Sequence, residues 1–376
     1  TPILLLGSLI ILVLGFKELG GWDEMMRVCG AVTVNDYGDT MTNLIRSNDD
    51  ANFPWLGALI GSAIIGFWYW CTDQFIVQRV LSGKNEMEAR RGTIFGAYLK
   101  LLPVFLFLIP GMIAFALHQK YIGAGGEGFL PMLANGTANA DAAFPTLVAK
   151  LLPAGVKGLV VCGILAALMS SLASLFNSSA MLFTIDFYKR FKPETPEKKL
   201  VGIGQIATIV IVVLGILWIP IMRSVGDVLY TYLQDVQSVL APGIAAAFLL
   251  GICWKRTSAQ GGMWGLISGM VIGLTRLGAK VYYSNAGEVA DSTFKYLFYD
   301  MNWLFFCGWM FLFCIIVVIV VSLATEAPTA EKIQGLVFGT ATKEQKAATR
   351  ASWNHWDIIH TVIILAITAA FYWYFW

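Results

Sequence analysis

The sequence predicts an all-α protein that spans a membrane several times, and three observations support that prediction. First, 57% of the 376 residues are hydrophobic and 13% are charged, whereas soluble domains carry about 25% charged residues. Second, this apolar surface exceeds what one water-soluble core can hide, because such cores stop growing at about 250–300 residues. Third, the apolar residues are grouped in runs of about 20, the length that a helix needs to cross a bilayer.

Nine apolar segments are the candidate membrane spans. In chain order they cover residues 1–16, 55–79, 93–117, 156–183, 200–222, 235–253, 261–279, 303–324 and 357–376. Proline and glycine interrupt several of them, as at Pro103, Pro110 and Gly111, and membrane helices tolerate such residues where neighbouring helices satisfy the freed backbone groups. Because the apolar run begins at Thr1 without the basic region or cleavage site of a signal peptide, we interpret it as part of a truncated helix.

The Lys and Arg residues predict the orientation of these spans. Nine spans place the connecting loops alternately on two sides, and one side carries nearly twice as many Lys and Arg residues as the other. The richer side is expected to be cytoplasmic, so the first segment runs outward and Trp376 lies outside. We therefore expect a multi-pass protein of the plasma membrane, the inner membrane in a bacterium.

Several functional classes lack the residues that they need. A net charge of +2 without a basic stripe gives no reason to expect a nucleic-acid partner. The six cysteines show no CxxC spacing, so neither a zinc site nor a disulfide framework is indicated. No HExxH, P-loop or GxGxxG motif occurs in a context that could work, and no nucleophile can be paired with a base. The sequence therefore predicts a protein that is not an enzyme and has no catalytic residues.

Aromatic and polar residues adjoin one another in the span 55–79. Tyr69 and Trp70 are followed by Asp73, a combination that suits a sugar, whose apolar ring face stacks on aromatic rings while its hydroxyls form hydrogen bonds. The alternative is an aromatic belt at the membrane surface, with Arg79 extended toward the inner side. We favour the belt for Arg79 and a function for the other three, because a belt does not account for an aspartate at membrane depth.

Further polar residues lie in or beside other spans. Lys100 needs a carboxylate, a carbonyl or a ligand as partner unless its chain extends to the inner surface. Gln234, at the outer mouth of a span, is either part of a loop or a ligand contact. Ser170 and Ser171, with the carbonyl of Ala167 one turn earlier, offer neutral oxygens that suit a monovalent cation. Small residues in this run are equally explained by close helix packing.

Distinctive stretches of the sequence occur in a fixed order. They include Trp68-Tyr69-Trp70-Cys71-Thr72-Asp73-Gln74, Leu168-Met169-Ser170-Ser171-Leu172, and residues 76–79, 84–85, 96–100, 110–112, 143–147, 176–178, 242–250 and 254–256. Together they resemble the sodium/glucose cotransporters of the sodium:solute symporter family, from residue 1 to about residue 325.

This resemblance implies a LeuT-like transporter fold. Such proteins have fourteen helices, ten of which form two inverted five-helix repeats that hold substrate and sodium between broken helices. The implied division is a truncated last helix of the first repeat at 1–16, an extracellular or periplasmic loop at 17–54, the second repeat at 55–253, and peripheral helices at 254–376. The missing N-terminal helices of the same protein are then expected to complete both sites.

The resemblance also implies roles for residues at matching positions. Tyr69 resembles the aromatic residue that closes the sugar site toward the cytoplasm, and Trp70, with Asp73 nearby, a residue of the sugar pocket. Lys100 and Gln234 resemble hydrogen-bond partners of the sugar hydroxyls, and Ala167, Ser170 and Ser171 resemble the second-repeat half of the sodium site. Gly66 departs from the pattern, because sugar-transporting relatives have a hydrogen-bonding Thr or Asn at this position.

These roles together imply sodium-coupled uptake of a sugar or polyol, a hexose or myo-inositol, by alternating access. The expected partners are that substrate, the Na+ ion and the lipid bilayer. Gly66 leaves open the symport of another small organic solute, such as a sialic acid, an amino acid or a vitamin. A sugar sensor that does not transport is the alternative from a different functional class.

Overall fold

The structure, a computed structural model, describes residues 2–133, 136–225, 229–286 and 290–376, so Thr1 lies outside it. Apart from isolated β-bridges, such as that between Thr33 and Thr40, its regular secondary structure is helical. The α-helices are α1 (Pro2–Leu19), α2 (Trp22–Gly30), α3 (Trp55–Cys71), α4 (Gln74–Leu81), α5 (Glu86–Pro103), α6 (Ile109–Gly123), α7 (Ala143–Leu151), α8 (Ala154–Met181), α9 (Lys189–Phe191), α10 (Glu197–Val225), α11 (Leu229–Cys253), α12 (Ala259–Asn285), α13 (Thr293–Lys295), α14 (Trp303–Ala324), α15 (Ala330–Ile333), α16 (Lys343–Ala351) and α17 (His355–Tyr374).

Short non-α turns join several of these helices. A π-helix at Val104–Leu108 connects α5 to α6, a second at Leu182–Tyr188 connects α8 to α9, and a third at Tyr296–Asp300 follows α13. A 3₁₀ turn at Ala140–Ala142 precedes α7. The first two π-helices continue the α-helices on either side of them without a break. The helical segments Glu86–Gly123 and Ala154–Phe191 are therefore 38 residues long each.

Each of the nine segments predicted as spans contains a helix. In the described part of the chain, six helices are long and apolar enough to cross a membrane, or up to eight if each of two bent pairs counts as one span. The helix that matches the predicted span 261–279 is α12, which is not among them. Its many glycines and the charged Arg276 lower its hydropathy.

The predicted single span 55–79 is broken in the structure. Helix α3 ends at Cys71, and α4 continues from Gln74 at an angle of 49° to it. The Thr72 hydroxyl donates to the Trp68 carbonyl at 2.7 Å, and the Asp73 carboxylate accepts from the Phe75 amide at 3.0 Å. These side-chain bonds satisfy backbone groups at the end of one helix and the start of the next, which is why the chain bends here.

One compact unit comprises Thr1–Asn43, Phe95–Met222 and Phe375. Its core is formed where α1 packs against α6 and α8, with Ile11, Ile113 and Val160 almost fully buried. A Cβ added at Gly7 of α1 would collide with the Val160 side chain of α8. The glycine therefore allows close approach of the two helices, which is how helices associate when lipid surrounds them.

The second compact unit comprises Leu44–Ile94, Arg223–Tyr374 and Trp376. In its centre α11, α12 and α14 pack against one another, and α3 packs against α11 and α14. A Cβ added at Gly273 of α12 would lie 2.6 Å from Val239 Cγ1 and 2.8 Å from the Val239 carbonyl oxygen of α11. Only glycine permits this contact between the two helices.

Candidate ligand and sodium sites

The predicted site residues fall in both compact units. Unit 2 holds Gly66, Tyr69 and Trp70 on α3, Asp73 before α4, and Gln234 on α11. Unit 1 holds Lys100 on α5, and Ala167, Ser170 and Ser171 on α8. Each group is described within its own unit.

The end of α3 carries four consecutive aromatic residues, Phe67 to Trp70, that point in different directions. Trp68 packs against the core of unit 2, whereas Trp70 is exposed and Tyr69 is half-buried. The Tyr69 and Trp70 rings meet edge to face with centroids 5.4 Å apart, an arrangement that aromatic pairs favour. Successive helical residues are turned by about 100°, so only some of these rings can face a ligand at once. Trp68 therefore anchors the helix in unit 2.

Gly66 lies one helical turn before Tyr69. A Cβ added there would meet no atom within 4 Å. Close packing within the unit therefore does not require glycine at this position, unlike Gly273. The absence of a side chain instead leaves open space beside the Tyr69 face of α3.

Asp73 has a structural role in this break. Because its carboxylate caps α4, an aspartate within the predicted span 55–79 is accounted for without a ligand. The sequence predicts a function for Asp73 because an aromatic belt does not explain an aspartate at membrane depth. The structure gives another explanation for this residue, which is that it caps α4. The cap uses Oδ1, so a contact with a substrate would use the second carboxylate oxygen.

Gln234 and Lys100 occupy helices near irregular turns. The Gln234 amide lies 3.3 Å from the hydroxyl of Tyr230, one turn earlier on α11, and Gln234 is half-buried. Lys100 is exposed on α5, three residues before the internal Pro103 and the π-helix that follows it. π-Helical turns within α-helices are frequent at functional sites.

The serine run on α8 divides into two kinds of hydroxyl. Ser174 donates to the Ser170 carbonyl at 3.1 Å, and Ser178 donates to the Ser174 carbonyl at 2.8 Å. Ser170 and Ser171 are exposed, and within the described residues neither hydroxyl has a hydrogen-bond partner. Both lie within one turn of Ala167 on one helix face. Their neutral oxygens fit a Na+ ion, which as a hard cation takes oxygen ligands.

A cluster of charged residues was missed as a unit by the sequence analysis. Asp235 on α11 pairs with Arg276 and Lys280 on α12, inside unit 2. Two signals were present: Arg276 is an ionisable residue within a predicted span, and Lys280 lies four residues later on the same helix face. Neither observation identifies Asp235 as the partner, because Asp235 is 41 residues from Arg276 in sequence.

Comparison with known proteins identifies the family. The sequence profile of the sodium:solute symporter family matches residues 1–269. The chain belongs to this family. The resemblance stated from the sequence motifs is thereby confirmed, and the sodium:solute symporters are transporters by their description.

Several sodium:solute symporters are similar to the chain over most of its length. It is 33% identical to the sodium/mannose cotransporter of Bos taurus, over 100% of the chain and 66% of that protein. It is 34% identical to sodium/myo-inositol cotransporter 2 of Homo sapiens, over 90% of the chain and 52% of that protein. Sodium/glucose cotransporter 1 of Ovis aries is 36% identical, over 87% and 52%. The chain thus spans about half to two thirds of the length of these relatives.

A solved structure shares the fold. It is the substrate-bound, outward-open state of a Na+-coupled sialic acid symporter, with a TM-score of 0.58 and 20% sequence identity, over 87% of this chain and 61% of that one. At this identity the similarity shows the fold alone. It confirms the predicted all-α, multi-spanning membrane architecture of the LeuT-like type.

Proposed function

We propose that the protein takes up a sugar or polyol, a hexose or myo-inositol, by sodium symport with alternating access. The observation that carries this proposal is the pair of exposed hydroxyls at Ser170 and Ser171, which have no hydrogen-bond partner in the described part of the chain, whereas the hydroxyls of Ser174 and Ser178 do. In a protein of this family, oxygen atoms kept free on a membrane helix are suited to the coupling ion. The sugar and inositol cotransporters among the relatives support the substrate class.

We assign the site residues as follows. Ser170, Ser171 and the Ala167 carbonyl contribute oxygens to one Na+ ion. Tyr69 and Trp70 supply ring faces to the apolar side of the sugar, and Tyr69 is the inner gate. Gln234 and Lys100 donate hydrogen bonds to sugar hydroxyls. Asp73 caps α4 with one carboxylate oxygen and accepts a hydrogen bond from the substrate with the other.

The driving force is the sodium gradient. Each Na+ ion that moves inward gains about 2.3 kcal/mol per 100 mV of membrane potential. Sodium binding favours the outward-open state, substrate binding favours closure, and both are then released inward. We place the protein in the plasma membrane, the inner membrane of a bacterium, and propose that it is a transporter without enzymatic activity.

We retain the proposed division of the chain. Residues 55–253 form the second five-helix repeat and residues 254–376 form peripheral helices, with 17–54 as the loop before the repeat and 1–16 as the last helix of the first repeat. Polar groups from the other helices of the first repeat complete both sites. The relatives support this division only by their greater length, since the match covers 66% of the mannose cotransporter and 52% of the glucose cotransporter.

The test is uptake into vesicles that carry the complete reading frame. Labelled glucose, mannose, galactose and myo-inositol are each supplied with sodium and then with choline in its place. Accumulation of one of them that disappears in choline is the expected result. Accumulation that persists in choline would refute sodium coupling, and substrate-evoked current without accumulation would identify a sensor.

Symport of another organic solute is the second candidate, and Gly66 favours it. Glycine lacks the side chain with which, by the family resemblance, sugar-transporting relatives form a hydrogen bond. The open space beside it admits a bulkier solute. Labelled sialic acid, amino acids and vitamins therefore form the second panel of the same assay. Sodium-dependent uptake of one of these, with none of the sugars, would establish this candidate.

A further inference from the structure

A buried group of three charged residues joins α11 to α12 in unit 2. Lys280 Nζ lies 2.5 Å from Asp235 Oδ2, and Arg276 Nη2 lies 3.5 Å from Asp235 Oδ1. The side chains of Arg276, Asp235 and Lys280 are 0%, 11% and 21% exposed. We call these three residues the charged clamp. At such burial, the charges are held by one another rather than by solvent.

Arg276 extends the charged clamp to two further segments. Its Nη2 donates to the Met301 carbonyl at 2.7 Å, and its Nη1 donates to the Leu297 carbonyl at 3.3 Å. The guanidinium also lies 4.0 Å from the ring centre of Phe306 on α14. One side chain of α12 thus connects α11, the π-helical turn before Met301, and α14.

The segment of α11 that carries Asp235 needs such an anchor. Pro242 lies inside α11 and has no amide hydrogen, so the hydrogen bond that would join it to the preceding turn is missing. The outer part of the helix, 229–241, is therefore attached less firmly to the rest of α11. Gly273 of α12 contacts Val239 at this level, and the charged clamp lies one turn farther out. Both contacts attach the outer part of α11 to α12.

Gln234 immediately precedes Asp235. Its side chain therefore moves with the backbone that the charged clamp holds. We propose that Asp235, Arg276 and Lys280 are positioning residues, which fix the outer part of α11 so that the Gln234 amide is held in place for a hydroxyl of the substrate. This inference rests on the proposed function of Gln234 as a substrate contact. It adds three residues that do not touch the substrate themselves.

The charge balance of the clamp decides which substitution tests it. Asp235→Asn leaves two buried cations without a carboxylate, whereas Lys280→Met leaves the Arg276–Asp235 pair, which is neutral overall. Removing one partner of a buried ion pair is far more disruptive than leaving a balanced pair. Asp235→Asn is thus the disruptive variant, and Asp235→Glu is the conservative variant that keeps the charge. Asp291→Asn is the matched control, because Asp291 pairs with Lys295 at 2.8 Å and is 95% exposed.

The first experiment measures substrate affinity and turnover of the complete transporter. Asp235→Asn should raise the KM for the transported sugar about tenfold, equivalent to about 1.4 kcal/mol. The maximal rate per inserted molecule should change less than about twofold, and Asp235→Glu should restore most of the affinity. In a Gln234→Ala background, Asp235→Asn should raise KM no further, because residues that act through one another are not additive. Additive effects, or a loss of rate at unchanged KM, would overturn the inference.

The second experiment is independent of transport. Hydrogen exchange of the detergent-solubilised complete transporter is followed in peptides from 229–241 and from α8. Asp235→Asn should speed exchange at 229–241 and leave α8 unchanged, Lys280→Met should speed it less because the Arg276–Asp235 pair remains, and Asp291→Asn should behave like the wild type. Unchanged exchange at 229–241 in Asp235→Asn would overturn the clamp even if uptake is impaired. If the wild type takes up no sugar, the proposed function fails, and the exchange result still decides whether the clamp orders this segment.

Discussion

Replacing Ser171 with alanine is expected to lower the affinity for sodium without lowering the stability of the fold. The Ser171 hydroxyl is exposed and has no hydrogen-bond partner within the described residues. Its removal therefore leaves no buried polar group unsatisfied, and exposed substitutions of this kind usually change the free energy of unfolding by less than about 0.5 kcal/mol. The variant should insert into the membrane at the level of the wild type.

The effect on sodium follows from the loss of one neutral ligand. A polar contact to a charged group contributes about 1.5–3 kcal/mol, and the lower value applies where the side chain is exposed. Because about 1.4 kcal/mol corresponds to a factor of ten, the sodium concentration for half-maximal uptake should rise about tenfold. The assay is initial uptake at saturating substrate over a series of sodium concentrations, with choline keeping the ionic strength constant.

Ser178→Ala is the matched control for this prediction. It deletes the same hydroxyl from the same helix, but the Ser178 hydroxyl is buried and donates to the Ser174 carbonyl at 2.8 Å. Sodium dependence should therefore stay within about twofold of the wild type once uptake is normalised to inserted protein. An unchanged sodium dependence in Ser171→Ala, or an equal shift in both variants, would refute the assignment of Ser171 to the sodium site.

Three further predictions concern the region around α3. Tyr69→Ala should abolish accumulation but insert normally, measured by uptake and surface labelling, whereas Trp68→Ala should reduce the inserted amount because Trp68 packs against the core. Gly66→Thr should fold normally, because a Cβ there meets no atom within 4 Å, and should lower the KM for a hexose. Asp73→Ala should lose the cap of α4 and reduce stability in thermal unfolding by about 1 kcal/mol. Full accumulation by Tyr69→Ala, misfolding of Gly66→Thr, or unaltered stability of Asp73→Ala would contradict the respective assignment.

The helices were predictable from the sequence because hydropathy is a local property. Each predicted span contains a helix, although the span 55–79 is divided between α3 and α4, and the structure extends the span 156–183 back to Ala154 and onward through a π-helix to Phe191. The break at Thr72 and Asp73 was not predicted. An apolar run indicates that a helix forms, whereas its interruption depends on which side chain caps which backbone amide, here Asp73 and Phe75.

The candidate site was predictable only in part, for a different reason. Tyr69, Trp70 and the serines of α8 were proposed as site residues because they lie within contiguous stretches of sequence that resemble the family. The charged clamp is not contiguous, since Asp235 meets Arg276 only after α11 and α12 have packed. Hydropathy made Arg276 conspicuous as a charge within a span, but only the packed helices show that its charge is balanced by a carboxylate and two backbone carbonyls.

The polar residues of this chain fall into two groups according to how they are satisfied. In a membrane, each polar group needs a partner, because lipid offers none. Asp73, Ser174, Ser178 and Asp235 all find theirs within the protein, as a helix cap, as back-bonded hydroxyls or as an ion pair. Among the described residues, the exposed hydroxyls of Ser170 and Ser171 do not, and neither do the buried hydroxyls of Ser8 and Thr184. Exposure then distinguishes Ser170 and Ser171 from Ser8 and Thr184, because oxygens that are both exposed and without a partner in the described part of the chain are the ones that a cation can reach.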